Sequence, residues 1–224
     1  MRRSVRYKKR NLTKEPKTSP RKKVGHHYKN FKEWLLQNPT EHIVQMDTVE
    51  GTKGGKVLLT LFWCEEKLML AFLLDSKAMD NTVAAMNRLE DMLGDALFNR
   101  MLPVILTDDG TEFADPELFE SRQDGTRRTH LFYCQPRCSD QKGVIEKNHE
   151  YIRYIVPHGT SLDGLTQEKV DLMMSHINST KRPGLGNRTP IEVAMERFGT
   201  ETIRRMGLTL IPPDDVNLTA KLVK

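Results

Sequence analysis

The sequence predicts an α/β protein built on a mixed five-stranded sheet with flanking helices, and three observations carry that prediction. Two nearly continuous apolar runs, "KVLLTLFWC" and "LMLAFLL", are split only by the charged turn "EEK". A helical repeat follows them. A further apolar run then ends abruptly in carboxylates, at "PVILTDDG". Runs without alternation read as strands covered on both faces.

The elements follow in order. After a short amphipathic piece, "YKNFKEWLLQ", the first strand is "HIVQMDTVEG", interrupted by Asp47 and closed by Gly51. With the next two strands it forms an antiparallel meander, because a three-residue turn cannot carry a parallel crossover. From Ala78 to Leu97 the residues Val83, Met86, Leu89, Leu93 and Leu97 recur at helical spacing, and this helix leads into the fourth strand. Asp115-Pro116 carries the N-cap and first-position signature of a short helix. "RTHLFYC" is the fifth strand, and past Pro136 a helix runs from about Lys142 to Val156 on a stripe of Ile145, Ile152 and Val156. Two more helices open at Thr166, with Leu165 and Val170 as a hydrophobic staple, and at "TPIE", where Thr189 and Glu192 form a capping box around Pro190.

Composition limits the function classes. With 224 residues, 38% of them apolar, the chain can fill one large core. It has no run of eighteen apolar residues, and "MRRSVRYKKRNLTKEPK" lacks the apolar segment of a secretory signal, so the expectation is a cytoplasmic protein without a membrane partner. Cys64, Cys134 and Cys138 are odd in number and lack C-x-x-C spacing, which argues against a disulfide framework or a four-ligand zinc site; His26-His27 has no cysteine pair to complete one either. Charge is uneven: residues 1–32 hold 13 Lys or Arg against the single acid Glu15, although the whole chain is only +5. Residues 1–40 therefore read as a basic, flexible arm or linker, 41–199 as the core and 200–224 as a C-terminal extension. The arm is either a solvated tail or a phosphate-tracking segment that gains affinity by counterion release.

Three carboxylates stand at comparable places: Asp47 in the first strand, Asp108 at the end of the fourth, and Glu146 on the first turn of the helix after the fifth. Alone, each reads as an edge or turn residue. Together they converge if the first and fourth strands are neighbours and the helix opens over the same strand ends. Hard oxygen donors without thiolate or imidazole favour Mg2+ or Mn2+, and two such ions, roughly 3.5–4 Å apart, could clamp an in-line displacement at phosphorus.

The surrounding phrases "LTDDGTEF", "CSDQKGVIEKNHEYIR", "PHGTSLDGLT" and "RPGLGNRTPIEVA" resemble, in order, the catalytic domain of bacterial insertion-sequence transposases, the insertion-sequence family 30 group, over about Glu41 to Gly199. The resemblance implies a ribonuclease H-like fold with an Asp, Asp, Glu triad on Asp47, Asp108 and Glu146. It implies a DDE-type transposase that uses two Mg2+ or Mn2+ ions to cut DNA at transposon ends and join them to a target. Its partners would be the inverted repeats, target DNA and further copies of itself, in a bacterial cytoplasm. Lys142, Gly143 and Asn148 flank Glu146 as in the family's motif and read as phosphate-holding. The loop cations Arg127, Arg128, Lys181, Arg182 and Arg188 are candidates for contacts to the DNA backbone. Two departures stand out. Asp109 replaces the family's usual amide, and is expected to accept backbone N–H groups in the turn at Gly110 while Asp108 serves as the ligand. No helix-turn-helix pattern precedes Glu41, which reads as a truncated transposase or a catalytic fragment. A hydrolytic nuclease of the same fold and an inactive, DNA-binding or multimerising remnant are the rival readings.

Overall fold

A computed structural model describes residues 23–223 apart from 41 and 137. Most of the basic arm, residues 1–22, lies outside the described residues. Strands β1 (Ile43–Glu50), β2 (Val57–Trp63) and β3 (Leu68–Leu74) form the antiparallel meander, and every residue of β2 is buried. β4 (Val104–Thr107) pairs in parallel with β1, and β5 (His130–Tyr133) in parallel with β4. The sheet order is β3-β2-β1-β4-β5. A meander extended on its first strand by two parallel strands, each reached through a helical crossover, is the ribonuclease H-like arrangement.

Helices cover both faces. The pattern over Ala78–Leu97, read above as one helix, is two: α2 (Met79–Leu93) and α3 (Asp95–Met101). Gly94 separates them at φ +75°, ending one and opening the other, a conformation that glycine adopts without a Cβ clash. α4 (Glu117–Glu120) opens one residue later than expected, with Pro116 in the N-cap position. α5 (Gly143–Ile155) begins after a 3-10 turn at Ser139–Lys142. α6 (Gln167–Asn178) is capped by Thr166, and α7 (Pro190–Phe198) by the Thr189–Glu192 box. α8 (Thr200–Arg205) follows at once, and Ile203, Met206 and Leu208 bury themselves in the main core, so the start of the expected C-terminal extension is packed on the body. At the other end, α1 (Tyr28–Gln37) lies within the segment read as an arm. Phe31 packs with Phe132, Val104, Leu106 and Cys134 in a second, smaller core, with Tyr28 and Trp34 against it. The apolar side of the amphipathic piece "YKNFKEWLLQ" is what docks this part of the segment on the body.

α6 also closes the outer edge of the sheet. The Asn178 amide accepts from Met69 N–H at 2.9 Å and donates to Met69 C=O at 2.7 Å, while the Gln167 amide accepts from Leu73 N–H and donates to Ala71 C=O. An edge strand's unpaired backbone is thereby satisfied by side chains. Asn178 is fully buried, so its replacement leaves two buried backbone groups unpaired. We expect Asn178→Ala to destabilise the fold by about 3 kcal/mol, read as a lowered urea midpoint with an unchanged slope.

Candidate active site

The β1–β4 ladder sets the site. Gln45 pairs with Leu106 across it, and continuing that register by two residues brings Asp47 level with Asp108. Gln45 then positions α5. Its buried side chain accepts from Ile145 N–H at 2.9 Å, holding the first turn of the helix against β1 and bringing Glu146 over the same strand ends. Asp47, Asp108 and Glu146 line one cleft of about 220 Å3, together with Asp109, Cys134 and Lys142.

Lys142 is the unexpected member. Its ammonium is buried 3.1 Å from Asp47 Oδ2 and 3.4 Å from Asp108 Oδ2, without a well-directed hydrogen bond to either. The side chain expected to meet phosphate instead sits between two carboxylates. Even so, the Asp47 carboxyl titrates above its ordinary range: burial raises it most, Lys142 lowers it, and Asp108 raises it again. Thr48 N–H donates to Asp47 Oδ1 at 2.8 Å and fixes the carboxylate plane. Burial also pushes the Cys134 thiol up to about 11, so it is a protonated, poor ligand and leaves the oxygens as donors. Among the described residues no group of three or more His, Cys, Asp or Glu is close enough to hold a metal ion. Glu146 lines the cleft from an exposed position on α5, apart from the aspartate pair. Two hard carboxylates around one buried cation, with a third lining their cleft, nevertheless suit a divalent cation by donor chemistry.

The neighbouring Asp109 differs from expectation. Gly110 N–H donates to Asp108 Oδ1 at 3.2 Å, so the turn bond falls on Asp108. Asp109, although it lines the same cleft, forms an ion pair with the buried Lys23, whose ammonium lies 4.2 Å from the centre of the Tyr133 ring. Glu112, the third acid of "DDGTEF", is fully buried: it accepts from Thr48 Oγ1 at 2.8 Å and pairs with Lys77 at 3.2 Å, bracing the residue after Asp47.

The other expected DNA contacts are mostly engaged elsewhere. Arg128 is buried, donating to the Phe119 and Leu118 carbonyls and to Asn87 and Glu90. That assignment is corrected, because a guanidinium held by four partners inside the fold cannot reach a phosphate. Arg182 is likewise buried, 3.7 Å from the Tyr151 ring centre. Arg127 pairs with the buried Glu120 in a separate hollow beside Trp34 and His130, and Arg188 pairs with Glu196. The Asn148 amide donates to Val144 C=O one turn back in α5. His149, read as a helix-surface residue, faces the sheet and meets Thr60. Gln45, Thr60 and Glu112 were missed; Thr60 had a signal, as the one polar residue in "VLLTLFW".

No family model matches the chain. Over 157 residues, 68% of its length, it is 24% identical to the ORF3 product of Spiroplasma virus SpV1-R8A2 B, which carries an integrase name. Over 74 residues it is 27% identical to the transposase for insertion sequence element IS1086 of Cupriavidus metallidurans. These alignments cover 46% and 22% of the two relatives, so the chain spans less than half their length. Among solved structures it superposes on the catalytic core domain of BIV integrase with a TM-score of 0.48 and 18% identity, covering 70% of this chain and 96% of that one. With the HTLV-2 integrase catalytic core domain in complex with magnesium the TM-score is 0.45 at 14% identity, covering 68% and 95%. The chain is thus similar, at low identity, to proteins named integrase and transposase. No helix among the described residues is long and apolar enough to cross a membrane.

The raised Asp47 carboxyl makes a stability prediction. The folded chain takes up that proton more readily than the unfolded chain, so ionised Asp47 lowers stability at neutral pH, and the penalty disappears as pH falls below the ordinary value of 3.8. In metal-free buffer at pH 7, Asp47→Asn should melt above the parent protein, with the gap closing as pH is lowered towards 3.8. A lower melting temperature at pH 7 would mean that Lys142 more than offsets the burial.

Proposed function

We propose that this chain is the catalytic core of a DNA transposase of the insertion-sequence family 30 type, a DDE polynucleotidyl transferase that joins a DNA 3′ end to a target strand. The observation that carries the reading is the approach of Asp47, on β1, and Asp108, just past β4, to one buried cation, with Glu146 lining the same cleft. The integrase and transposase names of the relatives support the class, and the phrase "LGNRTPIE" supports the finer assignment. The core in this reading spans residues 41–199, and the partners are transposon ends, target DNA and other copies of the chain in a bacterial cytoplasm.

Asp47, Asp108 and Glu146 would hold Mg2+ or Mn2+, two ions in the complete site. Such ions, when bound, lower the charge barrier to in-line displacement at phosphorus. The chain's own contribution is positional. β1 and β4 fix two carboxylates side by side, Gln45 sets the α5 turn that brings the third, and Thr48 and Gly110 N–H groups orient the aspartate planes. For cations to enter, Lys142 must vacate the space between the aspartates; its four-carbon stem then lets the ammonium meet a phosphate at the cleft mouth. The 3′ hydroxyl attacks a target phosphorus, the bond to the target's own 3′ oxygen breaks, and no covalent protein intermediate forms.

The test is an incubation of the protein, in Mg2+ and in Mn2+, with pre-nicked transposon ends and a target duplex. Joined strands support transfer, whereas hydrolysis alone would identify a nuclease. Asp47→Asn, Asp108→Asn and Glu146→Gln should each lower joining by at least about a hundredfold while duplex binding persists. Asp109→Asn should stay within about threefold of the parent, because Asp109 faces Lys23 and an amide keeps that contact's shape. A dead Asp109→Asn beside a live Asp108→Asn would move the ligand role to Asp109.

A further inference from the structure

We propose that Thr60 and His149 are positioning residues for the transfer reaction: through a hydrogen-bond chain from the His149 ring to the Thr60 hydroxyl to the Asp47 carbonyl, they lock β1 and α5 in the relation that the carboxylates need. The inference rests on the phosphoryl-transfer reading of the cleft.

Thr60 is fully buried in a strand whose other members are Val57, Leu58, Leu59, Leu61, Phe62 and Trp63. A hydroxyl there is costly unless it is bonded. It is bonded twice, at 3.0 Å to Asp47 C=O and at 2.9 Å to His149 Nε2, and Thr60 is the residue directly opposite Asp47 in the β1–β2 register. A threonine hydroxyl has one hydrogen, and a carbonyl can only accept. When the hydroxyl donates to Asp47 C=O, Nε2 must carry the proton that completes the second bond. The chain therefore runs in one direction, with the ring as its first donor.

Burial, with Lys142 and Arg153 nearby, holds the His149 ring down to about 4, so at neutral pH it is an uncharged donor and adds no further positive charge to the cleft. Position matters as much as protonation. His149 lies one turn after Glu146 on α5, and Ile145, just before Glu146, is tied through its N–H to Gln45. Glu146 is thus bracketed by two ties to β1, one through residue 45 and one through residue 47. Loss of the second tie frees α5 to rotate about the first, which moves Glu146 relative to Asp47 without exposing the core.

The experiment uses the full chain and four substitutions: Thr60→Val, Thr60→Ser, His149→Leu and His149→Gln. Each is measured for melting temperature, for affinity towards Mn2+ alone by calorimetry, and for the rate of joining pre-nicked ends. Thr60→Val and His149→Leu should each weaken Mn2+ binding and slow joining by about tenfold, the effect typical of losing an outer-shell contact. Combined, they should be no worse than either alone, since both cut one chain. Thr60→Ser and His149→Gln, which keep a hydroxyl and an N–H donor, should remain within about twofold of the parent. A folded Thr60→Val with parental Mn2+ affinity and joining rate overturns the inference, as does a Thr60→Ser as impaired as Thr60→Val. If Thr60→Val fails to fold, the His149 pair decides: equal affinities for Leu and Gln overturn the inference, and loss in Leu alone supports it. A parent protein that neither binds Mn2+ nor joins ends removes the transfer reading and this inference with it. A working parent beside a working Thr60→Val removes only the inference.

Discussion

The parallel ladder between β1 and β4 is the constraint on which the cleft depends. It places Asp47 and Asp108 level with one another, so two like charges are held together at a partly buried strand end. Local to the strand ends, each carboxylate has one backbone donor, Thr48 N–H for Asp47 and Gly110 N–H for Asp108. Lys142, delivered by the 3-10 turn that leads into α5, lowers the Asp47 carboxyl by more than Asp108 raises it, and burial is what still leaves that carboxyl above its ordinary range. The cleft therefore retains an appetite for positive charge. This is the usual relation between a functional site and its scaffold: the local arrangement is unfavourable, and the surrounding fold over-determines it.

That over-determination is visible around the whole strand end. Thr48, next to Asp47, is held by Glu112, whose carboxylate also meets Lys77 and whose carbonyl accepts from Thr82 on α2. Gly110 is confined as well: a Cβ on it would approach the Glu112 carboxylate to 2.5 Å, so a larger residue there would have to displace that buried, hydrogen-bonded acid. On the other side, Asp109 pairs with Lys23, whose ammonium rests over the Tyr133 ring. Successive carboxylates at a strand end point apart, and here each of the two has its own buried lysine.

Much of the fold was legible because its signals are local. Unbroken apolar runs gave the meander, and the Thr189–Glu192 box and the Thr166 cap marked the starts of α7 and α6. The convergence of Asp47 with Asp108 was conditional on the first and fourth strands being neighbours, an adjacency that the sequence left open and the sheet order supplies. What escaped was decided at long range. Arg128 reads as a loop cation, yet two carbonyls of the α4 segment and, on α2, Asn87 and Glu90, 41 and 38 residues away in sequence, draw it inside. Lys142 was legible as a site residue by its place before Glu146, but the direction of its side chain depends on two acids 95 and 34 residues away in sequence. Gly94 fits a helical period and breaks the helix all the same, since its positive φ carries no mark in an apolar pattern.

The sheet edges bear on whether this chain can add a strand from another copy. At β3 the outward backbone groups of Met69, Ala71 and Leu73 are taken by Asn178 and Gln167. At β5, Leu131 N–H donates to the Glu120 carboxylate, and Tyr133 N–H donates to His26 C=O in the segment leading to α1. Both edges are thus occupied by groups of the same chain, in the manner that keeps edge strands from recruiting others. Association by strand addition would first have to strip away α6 or the α1 segment, with the buried bonds and aromatic contacts each makes. The helix faces and loops remain, where Leu36, Leu118, Tyr154 and Leu172 stand exposed on four different helices. Assembly through those surfaces leaves the β1–β4 ladder, and the carboxylates it holds together, undisturbed.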